Sequence, residues 1–546
     1  MRAADAIVES LKAHGVRRVY CVPGESYLAL LDAFCDSGIE VVVCRHEGGA
    51  GFMACAEAKL TGEPCVFLVS RGPGATNASI AVHMAEQDAL PVLLLIGQVS
   101  RHERTRGVFQ EMDYTPFFGS MAKGVFEITE GVRVHDIMPR AFRLAMQGTQ
   151  GPVVLSLPED MLRDEVGTET QLVFPPARAF HDARDISQIQ DLIGRAERPI
   201  AVVGSRLRGK AGAEALARFA QAQRISVATT WKNQDVFDNH SELYAGHLGF
   251  GTPQAQRKLL AEADLIIAAG TRLGDVASLG YTFPSAPAPE QTLVHVYPDS
   301  GPLNKNARAD LALVADPAAV MAALAGQARV VSSAREAWIS RLHGFMADHG
   351  VFKSINPQDG VDFGAVVVAL AKHAPADCVI TTDAGNMSTW VHRHWSMSPA
   401  NTLLGGIAGA MGLGVPAAVA VSLAQPHRMA ICIVGDGGVL MTGQELATAV
   451  AHGAAPKIVI ADNGIYGTIR THQEREYPGR VSGTTLVNPD FKMWAESFGV
   501  AAFQLGLGDD VERVVSAFLS AKGAAVLHVK SSRQALSAFG TLPPAR

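Results

Sequence analysis

The sequence predicts an α/β protein built from three doubly wound, parallel-sheet domains. Short apolar runs of strand length alternate with longer helical stretches along most of its 546 residues, which is the pattern of repeated β-α-β units. The length suits three domains of ordinary size, and 48% hydrophobic with 18% charged residues suits large buried sheets. Two interruptions of the alternation separate the three domains.

The first domain is assigned to residues 1–170. It contains apolar runs that predict strands, in chain order VRRVYCV, EVVVC, CVFLV, PVLLLIG and PVVLSL. Helical stretches lie between these runs, as in a doubly wound sheet. The stretch Phe174-Pro175-Pro176 then indicates a linker, because proline lacks a backbone donor and restricts the residue before it.

The second and third domains are assigned to residues 185–330 and 355–532. The second begins with RPIAVVGSRLRG and continues through ADLIIAAGTRLGD to LVHVYPDS. It lacks the G-x-G-x-x-G turn that would indicate a dinucleotide-binding domain. A helix and a loop over residues 330–360 are expected to lead into the third domain.

The third domain carries the strongest chemical signal of the chain. Residues 430–434 and 457–461 predict buried strands, with a helix at 443–451 between them, so that Asp436 and Asn463 each follow a strand. The crossover makes the two strands parallel, which puts both residues at the edge where ligands of open α/β sheets bind. A carboxylate and an amide oxygen suit Mg2+, and the glycines after Asp436 allow close approach of a phosphate. The pattern predicts an anchor for a metal and a diphosphate.

A second signal lies in the first domain. Residues 40–62 predict a strand followed by a helix, with Glu47 at the start of the helix among small apolar residues. A carboxylate there could simply be a favourable charge at a helix N-terminus. The alternative is a catalytic carboxylate, and other motifs decide between the two.

Taken together, these motifs resemble the thiamine diphosphate-dependent enzymes, and in particular the acetolactate synthase and 2-oxo acid decarboxylase superfamily. The resemblance covers nearly the whole chain. Its further pieces, in chain order, are Arg45-His46-Glu47, Ala50-Gly51, Gly72-Pro73-Gly74-Ala75-Thr76-Asn77, Phe109-Gln110-Glu111, Gly385-Asn386-Met387, Gly409-Ala410-Met411-Gly412 and Pro416-Ala417-Ala418.

The resemblance implies a set of cofactor and metal ligands. Asp436, Asn463 and the carbonyl of Ile465 correspond to the Mg2+ ligands. Met411 corresponds to the apolar wedge that bends the cofactor, although a methionine can also be ordinary core. The remaining cofactor-binding positions are Glu47, Asn77, Gly385, Asn386, Met387, Gly409, Gly437, Gly438 and Gly467.

The resemblance also implies the reaction. Glu47 would bind N1′ of the cofactor's aminopyrimidine and promote loss of the C2 proton, and Gln110, His46 and His472 are further candidate catalytic residues. The expected function is ThDP- and Mg2+-dependent decarboxylation of a 2-oxo acid with transfer of the acyl unit to an acceptor, as in acetolactate synthases. The alternative is a non-ligating decarboxylase or C–C lyase on a bulkier substrate. A non-catalytic ThDP-fold subunit is a distant third, opposed by the presence of Glu47, Asp436 and Asn463.

Three positions depart from the acetolactate synthase pattern. His472 lies in the stretch where those enzymes carry a tryptophan, and Glu25 stands where a small residue is usual. In the central domain Val276 replaces an arginine that is tied to flavin and acceptor binding, while Arg272 is kept. Valine cannot form the bidentate hydrogen bonds that arginine forms with a carboxylate. Because this arginine is tied to flavin binding, FAD is not expected as a cofactor.

Composition limits the kinds of binding partner that are expected and the cell compartment that is favoured. The net charge is −6 without a basic stripe, so nucleic acid is not expected as a partner. Neither a secretory signal nor a membrane span is expected, and the seven scattered cysteines suit reduced thiols, which favours a cytoplasmic protein. The family resemblance implies a small-molecule 2-oxo acid substrate. It also implies a homodimer or homotetramer whose subunits share each cofactor site.

Overall fold

The computed structural model describes residues 1–326 and 328–540. Three six-stranded sheets follow one another along this chain, and every strand pair within them is parallel. Helices connect the strands and cover both faces of each sheet, as parallel sheets require. The predicted α/β class with three doubly wound sheets is therefore confirmed.

The first sheet has the order β2-β1-β3-β4-β6-β5. Its strands are β1 Arg18–Cys21, β2 Glu40–Val43, β3 Cys65–Ser70, β4 Val92–Gln98, β5 Gly124–Glu127 and β6 Val153–Pro158. Its helices are α1 Ala3–Ala13, α2 Leu28–Phe34, α3 Glu47–Thr61, α4 Arg71–Asp88, α5 Tyr114–Phe118 and α6 Val134–Met146. The sequence prediction contained every strand except β5. That strand is a short edge strand of half-buried residues, so neither an apolar run nor a clear alternation marks it.

The second sheet has the order β12-β11-β10-β7-β8-β9. Its strands are β7 Pro199–Val203, β8 Ser226–Thr230, β9 Tyr244–Leu248, β10 Leu265–Ala269, β11 Thr292–Tyr297 and β12 Leu311–Val314. Its helices are α7 Ala183–Arg195, α8 Lys210–Gln223, α9 Gln254–Ala261 and α10 Pro317–Leu324. A long helix, α11 at Ser333–Gly350, then leads to the third sheet, where a helix and a loop were predicted.

The third sheet has the order β14-β13-β15-β16-β18-β17. Its strands are β13 Val379–Thr382, β14 Thr402–Gly405, β15 Ala430–Gly435, β16 Lys457–Asp462, β17 Ala501–Leu505 and β18 Ala525–Lys530. Its helices are α12 Phe363–His373, α13 Met387–His394, α14 Gly414–Ala424, α15 Asp436–Thr442, α16 Leu446–Ala451, α17 Gly467–Glu476, α18 Phe491–Glu496 and α19 Val511–Ser520.

The predicted strands at 430–434 and 457–461 are present as β15 and β16. The helix predicted over 443–451 begins earlier in the structure than in the prediction. Helical structure begins at Asp436 with α15, and a 3-10 turn over Gly443–Glu445 joins it to α16. The glycines at 437 and 438 masked this start, because glycine in a helix interior is unfavourable unless close packing requires it.

One hydrophobic core joins the first and third domains. Helix α3 packs against α14, and small side chains such as Ala54, Ala58 and Ala420 let the two helices approach closely. The opposite faces of the first and third sheets each have a core of their own. Within the described residues, no helix combines the length and the apolar character needed to cross a bilayer.

Candidate active site

A cavity of about 230 Å3 lies at the carboxyl-terminal edge of the third sheet. The loops that follow β13, β15 and β16 form its walls, together with residues 531–536 after β18. The predicted Mg2+ ligands Asp436, Asn463 and Ile465 line it, as do Gly409 and Met411, which were predicted for the pyrimidine and the bend of the cofactor. The predicted diphosphate positions also line it, namely Gly385, Asn386, Met387, Gly437, Gly438 and Gly467. The structure thus brings together side chains that lie far apart in the sequence.

Asp436 is the acidic centre of this cavity. Its buried carboxylate accepts hydrogen bonds from the backbone N–H of Gly464 and from the side-chain amide of Asn488, both at 2.8 Å. Burial raises the pKa of Asp436, and these hydrogen bonds oppose the rise. Among the described residues no lysine, arginine or histidine pairs with it. A buried carboxylate beside amide and carbonyl oxygens, without a basic partner, suits a hard cation.

The glycines beside Asp436 leave space that no other residue would leave. A Cβ at Gly437 would come within 2.5 Å of the Tyr466 ring, and one at Gly438 within 2.9 Å of the Asp383 carboxylate. Gly385 adopts φ +138°, a conformation that residues with a side chain rarely adopt. Exposed backbone N–H groups at such positions form concave sites for anions, so the cavity is suited to a diphosphate.

Asp383 supports the wall of this cavity, and the sequence interpretation missed it. It follows β13, and its fully buried carboxylate accepts hydrogen bonds from the backbone N–H of Gly412 at 2.9 Å and 3.0 Å. Burial raises the pKa of Asp383 to about 6. The carboxylate holds the turn that follows Met411. The available signal was an aspartate directly after the strand-like run VITT.

Glu47 lies in a second group of residues, at the carboxyl-terminal edge of the first sheet. It is the first residue of α3, and its carboxylate accepts a hydrogen bond of 2.9 Å from the side-chain amide of Asn77 in α4. His46 caps the same helix, since its Nδ1 accepts from the N–H of Gly48 at 2.9 Å. That bond gives His46 a structural task, whether or not it also transfers protons.

Glu445 ties this second group to the third domain and was also missed. Its carboxylate is completely buried and accepts from the backbone N–H of Arg45 at 3.1 Å and of His46 at 3.0 Å. The hydroxyl of Thr448 donates to the same carboxylate at 2.6 Å. Burial raises the pKa of Glu445. The contact fixes the backbone directly before Glu47, and its only sequence signal was an acid inside a largely apolar helical stretch.

The two remaining predicted catalytic residues occupy different places. Gln110 has φ +65°, and its carbonyl accepts from the N–H of Gly72 at 3.0 Å, which puts its backbone beside the start of α4. His472 lies on the exposed side of α17, where Arg475 donates to its Nδ1 at 2.8 Å. Neither lines the cavity of the third sheet, and nor do Glu47, His46 and Asn77. The candidate site is therefore divided into two parts within one chain.

A larger cavity of about 490 Å3 lies beside the second sheet. Arg272 and Val276 both line it, and the Arg272 guanidinium donates to the backbone carbonyls of Glu86 and Gln87. Glu25 is exposed and forms an ion pair with Arg71 at 3.4 Å. These are the locations of two of the three departures noted in the sequence.

Comparison with known proteins assigns each part of the chain. Residues 1–117, 186–324 and 383–529 match the N-terminal TPP-binding, central and C-terminal TPP-binding domains of thiamine pyrophosphate enzymes. The chain is 32% identical over 540 residues to acetolactate synthase isozyme 2 large subunit of Escherichia coli, covering 97% of this chain and 95% of that protein. It is also 32% identical to a probable acetolactate synthase large subunit of Methanocaldococcus jannaschii, with 95% and 90% covered.

Proposed function

Since this chain belongs to the thiamine pyrophosphate enzymes and is an enzyme of the acetolactate synthase-like type, we propose that it decarboxylates a 2-oxo acid and joins the acyl unit to a carbonyl acceptor. Thiamine pyrophosphate is thiamine diphosphate under another name. The observation that carries the proposal is the cavity in which the glycine-lined loops meet the buried Asp436. Asp436 differs from the other buried carboxylates nearby because it lines the cavity directly after a strand end, beside Asn463 and Ile465, where a metal ion would have oxygen ligands.

Asp436, Asn463 and the Ile465 carbonyl would hold Mg2+, and Gly385, Gly437, Gly438 and Gly467 would surround the diphosphate. The bound cofactor supplies an electron sink for decarboxylation. Glu47 would share a proton with N1′ of the aminopyrimidine, and Asn77 would keep the Glu47 carboxylate oriented through its 2.9 Å hydrogen bond. Gly409 and Met411, which line the cavity of the third sheet, would position the pyrimidine end.

We also propose that each complete site is formed by two copies of the chain. Glu47 follows β2, and the large apolar residues Leu28 and Phe109 at the same sheet edge are 55% and 75% exposed. On the other part of the site, Leu440 and Met441 in α15 are 48% and 44% exposed directly after Asp436. Apolar residues exposed beside both halves indicate interaction surfaces, and a twofold dimer would bring them together twice.

A second candidate function is decarboxylation or C–C cleavage of a bulkier substrate without ligation. Two observations favour it: His472 is exposed and engaged with Arg475, and the cavity of the second sheet has Val276 where a second guanidinium would bind an anion.

Because Val276 stands in place of that second arginine, we expect no flavin in the cavity of the second sheet, although the cavity has room for a ligand. Absorbance of protein purified with FAD present tests this, and a stoichiometric yellow complex would contradict it. A cytoplasmic location and the lack of a nucleic-acid partner stay predictions from composition.

The test is a product analysis of the purified protein with thiamine diphosphate and Mg2+. Pyruvate is supplied first and then a series of larger 2-oxo acids, with CO2 and all organic products recorded. We expect acetolactate or another acyloin-type product, and none from the Asp436→Ala variant. Free aldehyde alone would establish the second function. No turnover of any 2-oxo acid would contradict carboligation and simple decarboxylation alike.

A further inference from the structure

A third cavity, of about 430 Å3, lies between the second and third sheets and is separate from the candidate active site. Strand β9 and helices α11 and α13 contribute to its walls. Five histidines line it: His240, His247, His343, His349 and His392. We call it the histidine cavity. Its size falls in the range of small-molecule sites.

Apart from the phenol of Tyr244, the charged and titratable side chains of the histidine cavity are basic. Arg393 lines it together with the five histidines, and its guanidinium donates to the carbonyls of His349 and Ala538. Among the described residues no aspartate or glutamate lines the cavity. Nor do the described side chains include any group of three or more arranged to hold a metal ion. The arrangement therefore suits an anion and not a cation.

Two imidazole nitrogens in the cavity are buried without a partner. These are Nε2 of His247 and Nε2 of His392, and the two rings lie with their centroids 5.8 Å apart. The other ring nitrogen of His392 is engaged, since Nδ1 lies 3.0 Å from the side-chain amide of Gln234. Buried polar groups are almost always hydrogen-bonded, and leaving one unpaired costs about 1–3 kcal/mol. Two such nitrogens at one cavity indicate that an occupant supplies their partner.

The remaining walls of the cavity are partly apolar. Tyr244, Met346, Val351, Trp395 and Phe539 contribute to them. A bare inorganic ion would leave these surfaces unfilled, whereas a molecule with an apolar body would cover them. We propose that the histidine cavity binds a small organic anion, in which a carboxylate or phosphate head contacts His247, His392 and Arg393 and an apolar body fills the rest.

Binding of an anion should change the protonation of the histidines in the cavity. Burial lowers the pKa of His247 and of His349 to about 4, and it lowers the pKa of His392 as well. The neighbouring basic groups act in the same direction when they are protonated: Arg393 and His394 on His349, His349 on His247, and Lys232 and His247 on His392. An anion opposes both effects and favours the imidazolium form. Binding should therefore take up protons and become tighter as the pH falls.

The experiment uses titration calorimetry on the holoenzyme with thiamine diphosphate and Mg2+ bound. The probes are benzoate, phenyl phosphate and the uncharged benzyl alcohol, each at about pH 6 and about pH 8. We expect saturable binding of benzoate or phenyl phosphate, at least about tenfold tighter than that of benzyl alcohol and stronger at the lower pH. Repeating the titrations in two buffers of different ionisation enthalpy measures the proton uptake. The tighter of the two anions identifies the head group.

The test variant is a double variant that combines His247→Asn and His392→Asn. The matched control is His427→Asn, at an exposed position. The double variant should lose anion binding and the control should keep it. Three results would overturn the proposal. The anion could still bind the double variant, it could bind no more tightly than benzyl alcohol, or neither anion could bind the unaltered enzyme. If the double variant does not fold, crystals of the unaltered enzyme soaked with the tighter anion decide. Density in the histidine cavity supports the site, and density only elsewhere overturns it.

Discussion

At the scale of single residues, the candidate site depends on two carboxylates in opposite surroundings. Asp436 is buried and held by donors that fix its orientation, while Glu47 is half-buried and contacts one amide. An anchored carboxylate suits a metal ion, which needs a fixed ligand. A carboxylate with a single weak constraint suits proton exchange with a bound group. The surroundings thus match the two proposed roles.

Replacing Glu47 by glutamine should separate binding from proton transfer. The amide keeps the size of the side chain but cannot share a proton with N1′ of the cofactor, so exchange of the C2 proton should slow by orders of magnitude. The dissociation constant of thiamine diphosphate should change little. Proton exchange followed by NMR is the measurement, and Glu63→Gln, at an exposed loop position, is the control. Undiminished exchange in Glu47→Gln would show that the carboxylate has another role.

Replacing Gly437 by alanine should damage the diphosphate half of the site. The added Cβ would lie 2.5 Å from the Tyr466 ring, so one wall of the cavity would have to move. We expect thiamine diphosphate to bind at least about tenfold more weakly in the presence of Mg2+, as measured by calorimetry. Gly344→Ala is the control, since a Cβ there meets nothing within 4 Å. Equal affinities in the two variants would contradict this assignment.

At the scale of elements, the sequence allowed prediction of strands and motifs but not of contacts between domains. Buried strands such as β15 and β16 have short apolar runs of strand length, and the aspartate and asparagine follow them directly. Glu445 and Asp383 were missed because their partners are backbone N–H groups, which leave no trace in residue identity. Strand β5 was missed because an edge strand is not fully buried. Tertiary hydrogen bonds and several strands, among them the buried interior strands β8 and β18, are what the sequence analysis did not reveal.

Lys232 offers a test of one such interdomain contact. It follows β8, is fully buried, and donates to the carbonyl of Gly406 after β14 at 3.0 Å. Burial lowers the pKa of Lys232 to about 8. The unfolded chain then binds more protons than the folded one above that pH, so the folded state gains stability as the pH rises through this range. The gain is fully present only above the ordinary lysine pKa.

Comparing the unfolding free energies of the wild-type protein and the Lys232→Met variant should reveal this gain in stability. Between about pH 7 and about pH 10 the wild-type protein should gain of the order of 3 kcal/mol in unfolding free energy relative to the variant. Urea unfolding followed by circular dichroism gives the two stabilities at each pH. Lys210→Met, at an exposed helix start, should show no such trend. A difference between wild type and Lys232→Met that does not vary with pH would refute the burial argument.

At the scale of the whole molecule, the two halves of the site are on separate sheets and do not meet within one chain. The diphosphate positions line one cavity, and Glu47, His46 and Asn77 lie outside it. Sequence motifs place residues on elements, but they carry no information about which copy of the chain supplies each half. The motifs therefore predicted positions on elements, whereas the sharing of each site between two copies was implied only by the family resemblance and is supported by the exposed apolar residues.

Mixing two inactive variants tests this assembly. In a dimer of one Glu47→Gln chain and one Asp436→Ala chain, one shared site has both defects and the other has neither. With random pairing, about a quarter of the wild-type number of sites should be intact. Activity of co-expressed, differently tagged chains measures the recovery, and each variant alone is the control. Activity no greater than the sum of the two variants would mean that each site belongs to one chain.

Helix α13 connects regions of the molecule that have so far been treated separately. At its start Met387 and Trp390 line the candidate active site, and near its end His392 and Arg393 line the histidine cavity. Trp390 stacks on His394 one turn further along the helix, with ring centroids 5.9 Å apart. If an occupant at either end displaces this helix, heterotropic linkage follows and must be reciprocal. Whatever factor an anion imposes on cofactor affinity, the cofactor will impose on the anion.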